Sequence, residues 1–130
     1  MYLLDTNTLI YFFKGKGRVA ENLLSKSPKE IAVSSIVLFE LEVGIAKSDS
    51  PAKRRQQLNV LTSVITTIPF TYKEAKTAAI IRAELEKSGT PIGPYDTLIA
   101  GTALRADCVL VTNNTKEFSR VENLQLEDWF

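Results

Sequence analysis

The sequence predicts an α/β fold: one domain over residues 1–130, with a central, mostly parallel sheet of four or five strands covered by helices in a three-layer α/β/α sandwich. Three observations lead there. Short apolar or β-branched runs alternate with helical patterns along the whole chain, the order that right-handed βαβ crossovers produce. The clearest of these runs, Tyr2-Leu3-Leu4 and Cys108-Val109-Leu110-Val111, are apolar throughout, as strands buried on both faces are. Each then stops at cap or turn residues, Asp5-Thr6-Asn7-Thr8 in the first case and Thr112-Asn113-Asn114 in the second. A chain of 130 residues is also long enough to bury one good core.

Element by element, Tyr2–Leu4 reads as a strand, and Thr8–Phe13 as a short apolar helix for which Thr6 or Asn7 is the expected cap. Lys14-Gly15-Lys16-Gly17-Arg18 follows as a glycine-loosened basic loop. Val19–Ser25 carries a second short helical pattern, which Pro28 closes. Ile31-Ala32-Val33 is a brief strand, and Ser34 and Ser35 can cap a helix over Ile36–Ala46. Ala52–Val64 is helical, with Lys53, Arg54 and Arg55 at its start; the β-branched stretch Val64–Phe70 reads as a strand. Thr71-Tyr72-Lys73-Glu74 is a T-x-x-E capping box that opens a long helix stopped by Gly89. Thr90–Tyr95 is a proline-stiffened loop before a helix at Thr97–Leu104. The Cys108–Val111 strand leads through a turn to Lys116-Glu117-Phe118, and a last strand is expected at Leu124–Leu126.

Composition excludes more than it proposes. The chain contains no histidine, which removes Ser-His-Asp and Cys-His catalysis, histidine bases and His-ligated zinc. Net charge is +1, so no global field marks nucleic acid or a membrane as partner. No apolar run is long enough to span a bilayer. A single Cys108 can form no internal disulfide, and the N-terminus lacks the pattern of a signal peptide, so a reducing, cytoplasmic setting is expected.

Catalysis, if present, must then rest on carboxylates, lysines, hydroxyls or an oxygen-ligated metal. Four polar positions fall where strands give way to helices or loops: Asp5, Glu40, Asp96 and Asn114. Ligands of open α/β sheets bind beyond the carboxyl ends of strands, which is where Asp5 falls. Asp96 falls at the start of a helix, where the dipole favours a carboxylate. Glu40 shares a helical face with Ile36, Val37, Val43 and Gly44, and an unpaired carboxylate on an apolar face calls for a partner or a cation. Glu42, roughly opposite, reads as solvated charge. Carboxylates gathered without His or Cys suit Mg²⁺ or Mn²⁺, and the chemistry of such a site is metal-assisted hydrolysis of a phosphate ester. Composition and spacing do not name the substrate.

Four ordered blocks carry a resemblance over essentially the whole chain: Leu4-Asp5-Thr6-Asn7, Ser35 through Glu40 to Gly44, Gly89 through Gly93-Pro94-Tyr95-Asp96, and Val111-Thr112-Asn113-Asn114 through Phe118. The sequence resembles PIN-domain ribonucleases and is most similar to the VapC toxins of bacterial type II toxin–antitoxin modules, with a Glu127-Asp128-Trp129 ending like that of one VapC subgroup. The resemblance implies a Mg²⁺- or Mn²⁺-dependent endoribonuclease, often acting on tRNA and so stopping translation, that dimerises and is neutralised by a cognate VapB-type antitoxin. It implies Asp5, Glu40 and Asp96 as the acidic cluster: Asp5 and Asp96 as the main metal ligands, and Glu40 as a ligand through water or a group that orients water. Many PIN domains carry a fourth acid where this chain has Asn114, which offers a carbonyl oxygen but no charge. Glu117 lies close enough in sequence to compensate, though a supporting or surface place is expected for it. Thr6, Asn7 and Thr112 can hydrogen-bond the acids. The apolar surface of the 36–46 helix and Tyr95 are candidate antitoxin contacts, with core packing as the expected role of most of those apolar residues. Lys14, Lys16 and Arg18 are expected to hold RNA through its phosphates, with Lys53, Arg54 and Arg55 as the second choice.

Three alternatives stand beside this reading. Asp5-Thr6-Asn7-Thr8 superficially matches the D-x-D-x-T start of haloacid dehalogenase-type phosphatases, with Asn7 in place of the second acid. A signalling receiver domain shares the fold class but should carry paired acids and a phosphoacceptor that are not evident here. A PIN-like module used only for binding RNA or antitoxin is the third.

Overall fold

In the computed structural model, which describes residues 1–130, strand β1 (Tyr2–Leu4) lies at the centre of a five-stranded, wholly parallel sheet ordered β3-β2-β1-β4-β5. The chain leaves β1 through α1 (Thr6–Lys14), α2 (Val19–Leu24) and one 3₁₀ turn (Pro28–Glu30) to reach β2 (Ile31–Ser34). It continues through α3 (Ser35–Ala46) and α4 (Pro51–Thr62) to the edge strand β3 (Thr66–Ile68). Helices α5 (Tyr72–Lys87) and α6 (Pro94–Arg105) then carry it back across the sheet to β4 (Val109–Val111), on the other side of β1. A short α7 (Thr115–Phe118) leads to the opposite edge, β5 (Leu126–Glu127).

This order makes the gap between β1 and β4 a topological switch point, because the chain leaves those strands toward opposite edges. A crevice opens at the carboxyl ends of such a pair. Leu4 is in register with Val111, so the residues just past them, Asp5 and Thr112, stand at that crevice. Position along the chain has become position in a site.

The core confirms why the strands are short and apolar. Leu3, Leu4, Ala32, Val33, Leu110 and Val111 are fully buried, with helices packed on both faces. Helices α1 to α4 pack against one another, and α5 against α6. The stripe that α3 buries is Val37, Leu41 and Ile45, a spacing of four. Of the face shared with Glu40, Val37 is core, but Ile36 is only partly buried and Val43 and Gly44 are exposed, so Glu40 sits at the rim of that face. The expectation of a carboxylate sunk in an apolar face is corrected to that extent.

Several boundaries move, each for a local reason. Helix α1 begins at Thr6 because Asp5 itself is the cap: Asp5 Oδ1 accepts from the Thr8 N–H at 2.8 Å. The expected capping by Thr6 or Asn7 is therefore wrong. Helix α6 begins at Pro94, whose fixed φ suits the first helical position, which places Asp96 inside the first turn rather than ahead of it. Strand β3 starts late because Val64 and Ile65 still donate to the carbonyl of Leu61. Strand β5 is displaced to Leu126 because Asn123 takes a positive φ of 68° and Leu124 bonds back to Val121. The 14–18 loop is not loose. Gly15 closes α1 in the left-handed conformation, the Arg18 N–H donates to the Phe130 carbonyl at 3.0 Å, and a Cβ on Gly17 would lie 2.7 Å from that carbonyl oxygen.

Helix α6, which carries Asp96, is set by an unusually close approach to α5. A Cβ on Gly101 would fall 2.6 Å from the Cβ of Ala78. Gly101→Ala should therefore destabilise the protein by about 1–3 kcal/mol, despite a helix-propensity gain of about 1 kcal/mol. Urea unfolding measures this, and the double variant with Ala78→Gly should recover part of the loss. A more stable Gly101→Ala protein would show that α6 is free to back away.

Candidate active site

The site is built outward from Asp5. Its backbone N–H donates to the Val111 carbonyl at 3.1 Å, extending the β1–β4 ladder by one bond. Its side chain is buried, with one oxygen facing the Thr8 N–H and the other, Oδ2, accepting from the Thr112 hydroxyl at 2.5 Å. The Thr8 hydroxyl donates to the Val111 carbonyl at 3.1 Å, and Thr112 Oγ1 in turn accepts from the Asn114 N–H at 3.0 Å. Two strand ends and a helix start thus fix one carboxylate. Burial raises its carboxyl above the ordinary value, against the bonds from Thr112 and Thr8, which lower it. The Asp128 charge adds a smaller upward push.

Three more acids lie close enough to this end of the sheet for their charges to act on one another. Glu40, on α3, accepts from the Thr6 hydroxyl at 2.7 Å. Glu117, on α7, accepts from the Asn114 side-chain amide at 3.1 Å. Asp96 is pushed up to about 6 by burial first, then by the charges of Glu117, Asp5 and Glu40. No cation balances the group: the molecule's two salt bridges, Glu42–Arg55 and Arg82–Glu86, both lie outside it. Four carboxylates at one end of the sheet with no Lys or Arg paired to them suit a hard divalent cation, whose charge would remove the repulsion that lifts Asp96. The acids do not close into a cage of three ready-placed ligands.

Sequence reasoning placed some residues well and missed others. Asp5, Glu40 and Asp96 come together, and Thr6 and Thr112 bond acids. Asn7 is exposed and makes no side-chain hydrogen bond to any of them. Asn114 is not a bare substitute for an acid: it is the residue that hydrogen-bonds Glu117, whose charge acts on Asp96 more than any other. Glu117 is thus half-buried beside Asn114 rather than on the open surface. A signal was available, since Asn114-Thr115-Lys116-Glu117 has the spacing of a cap residue and its N3 acid, which tethers Glu117 near the strand end. Lys14 lines a groove of about 250 Å³ between α1, α3 and α4 together with Glu40 and Arg54. Lys16 and Arg18 lie past the far end of α1, and Arg55 is engaged bidentately by Glu42 at 2.7 and 2.9 Å.

Comparison with known proteins agrees with this fold. The family model described as PIN domain matches residues 2–124. The chain belongs to the PIN-domain family and, within it, to the VapC ribonucleases. It is 37% identical to the tRNA(fMet)-specific endonuclease VapC of Salmonella typhimurium, over 98% of this chain and 97% of that one. It is 40% identical to ribonuclease VapC2 of Rickettsia felis, over 99% and 98%. The VapBC2 structure from Rickettsia felis, bound to a DNA fragment from its promoter, superposes with a TM-score of 0.92 at 39% identity, covering 99% of this chain and 98% of that one. The phosphatase and receiver-domain alternatives fall away with that membership.

Asp96 gives the site a measurable signature. An acid that titrates higher in the folded chain than in the unfolded one holds its proton better when folded, so metal-free stability declines as pH climbs from about 4 to about 6. Glu42 and Glu74, held low by bonds from Arg55 and Thr71, act in the opposite sense but only at more acidic pH. Without divalent cation the protein should melt higher at pH 5 than at pH 7. Asp96→Asn should stabilise it at pH 7 by about 1 kcal/mol, after allowing for solvent screening of a half-exposed group, or ~4 °C. Calorimetric melting checks this, and an Asp96→Asn protein with unchanged pH dependence would contradict the crowding of the four acids.

Proposed function

We propose that this chain is the toxin of a toxin–antitoxin pair: a Mg²⁺- or Mn²⁺-dependent endoribonuclease that hydrolyses RNA phosphodiester bonds, tRNA above all, and so halts translation. The observation that carries the reading is the uncompensated acid cluster at the β1–β4 switch point, in a chain without histidine. Its relatives of similar length, named as ribonucleases and a tRNA(fMet)-specific endonuclease, support the substrate class.

Asp5 and Asp96 are the residues assigned to hold the cation. Glu40 keeps one oxygen on Thr6 and has the other available to orient a water. Asn114 holds Glu117 so that it stands in for the fourth acid. A cation bound there would acidify a coordinated water and offset charge on the attacking and leaving oxygens. The protein's own task is to hold four like charges near one another at the strand ends. Lys14, sharing a groove with Glu40, is placed to hold a phosphate upstream or downstream of the cut.

The partner is a VapB-type antitoxin, a reading supported by the VapBC complexes that superpose on this chain. A basic antitoxin side chain aimed at the acids would supply the charge they lack, and the exposed side of α3 with Tyr95 is the surface assigned to the rest of that segment. We place the working toxin in the cytoplasm as a homodimer.

Purified protein freed of antitoxin should cut tRNA with Mg²⁺ or Mn²⁺ and not after chelation, and Asp5→Asn should abolish cutting. Gel analysis of cleaved tRNA measures both, and an Asp5→Asn protein as active as the parent would contradict the mechanism. Glu40→Gln should lower turnover by about 10- to 100-fold, whereas Glu42→Gln, which removes only an exposed pair with Arg55, should leave it near the parent value. Equal effects would remove Glu40 from the site.

A further inference from the structure

Two large rings stand beside the acids with no part in the core. Phe39 directly precedes Glu40 on α3, and Tyr95 directly precedes Asp96 on α6. Their ring centroids are 5.7 Å apart with planes inclined at 55°, yet Phe39 remains 51% exposed and Tyr95 46%. Neither belongs to the core cluster or to the partly buried residues packed on it, although the flanking Ile36 and Leu38 do. Core packing therefore does not account for them. Two other rings are exposed, but each has a partner elsewhere: Phe130 lies against Tyr11 with centroids 4.7 Å apart, and the Lys76 ammonium sits 5.5 Å over Tyr72.

Resting on the ribonuclease reading, we propose that Phe39 and Tyr95 form a stacking platform for an unpaired nucleobase next to the scissile phosphate. Acids and a cation can grip a phosphate but carry no information about the base. Single-stranded RNA is held by stacking unstacked bases on aromatic side chains, a contact that tolerates any base because each has a π-face. The placement answers a second need. The four acids repel RNA phosphates, so an uncharged contact beside them gives binding energy that does not depend on charge. Each of the two residues stays about half exposed, and the next residue along each helix is one of the acids. A base seated there fixes which phosphate reaches the crevice, and it selects RNA that is single-stranded at the cut, such as a loop.

The test uses the full chain freed of antitoxin and short single-stranded RNAs carrying 2-aminopurine at successive positions, first in chelator and then with Mg²⁺. One position should show fluorescence quenching on binding. Phe39→Ala and Tyr95→Ala should abolish that quench and raise Kd and KM about 10-fold, with kcat changed less than about threefold and the salt dependence of binding unaltered. Lys14→Ala should instead lower the salt slope by about one and keep the quench. Tyr95→Phe and Phe39→Tyr should restore quench and KM, which separates loss of a ring from loss of folding. A quench that survives both alanine variants overturns the platform, whether or not those variants alter dimer dissociation or antitoxin capture. Failure of the aromatic replacements to restore it also overturns it. A parent protein that quenches 2-aminopurine but cuts no RNA with Mg²⁺ or Mn²⁺ would sink the nuclease reading while leaving the platform in place.

Discussion

Everything at the switch point depends on the Asp5 carboxylate being held at the joint between β1, β4 and α1. One oxygen satisfies the first turn of α1 and the other takes the Thr112 hydroxyl, so the same side chain closes a helix and locks two strand ends. Capping and catalysis are usually posed as rival explanations of such a residue. Here the cap bond is what immobilises the acid. Each carboxylate oxygen has more than one lone pair, so both roles fit on one group.

The remaining acids are brought to Asp5 by separate parts of the fold, which is why the site spans the chain. Glu40 comes in on the rim of α3 and is tied by Thr6; Glu117 hangs from Asn114; Asp96 rides on α6. That last position depends on the absence of a side chain at Gly101, because one extra carbon would press α6 off Ala78. Burial, with the charges of Glu117, Asp5 and Glu40 added to it, lifts Asp96 to about 6, a destabilising feature kept in the folded chain that marks a functional site.

Much of this was legible before any coordinates. Alternating runs gave the parallel sheet, missing histidine gave the class of chemistry, and Asp5, Glu40 and Asp96 were read from their places at strand ends and on a helix face. Pattern reading failed where tertiary geometry decides. The Glu40 face looked apolar on a helical projection, yet the part carrying Val43 and Gly44 is open to solvent. Lys14, Lys16 and Arg18 look like one basic cluster in sequence, but Lys14 ends α1, Lys16 and Arg18 lie beyond it, and the Arg18 backbone is fastened to Phe130. Asn114 read as a lost charge because its hydrogen bond to Glu117 cannot be seen in a string of letters.

Titration of the protein with Mn²⁺ by calorimetry, at pH 6 and pH 8 in buffers of different ionisation enthalpy, tests the metal site most directly. Saturable binding is expected at both, with proton release at pH 6 that disappears at pH 8, and with binding lost in Asp5→Asn. Binding without pH-dependent proton release, or binding that survives Asp5→Asn, would contradict a cation held by this cluster of acids.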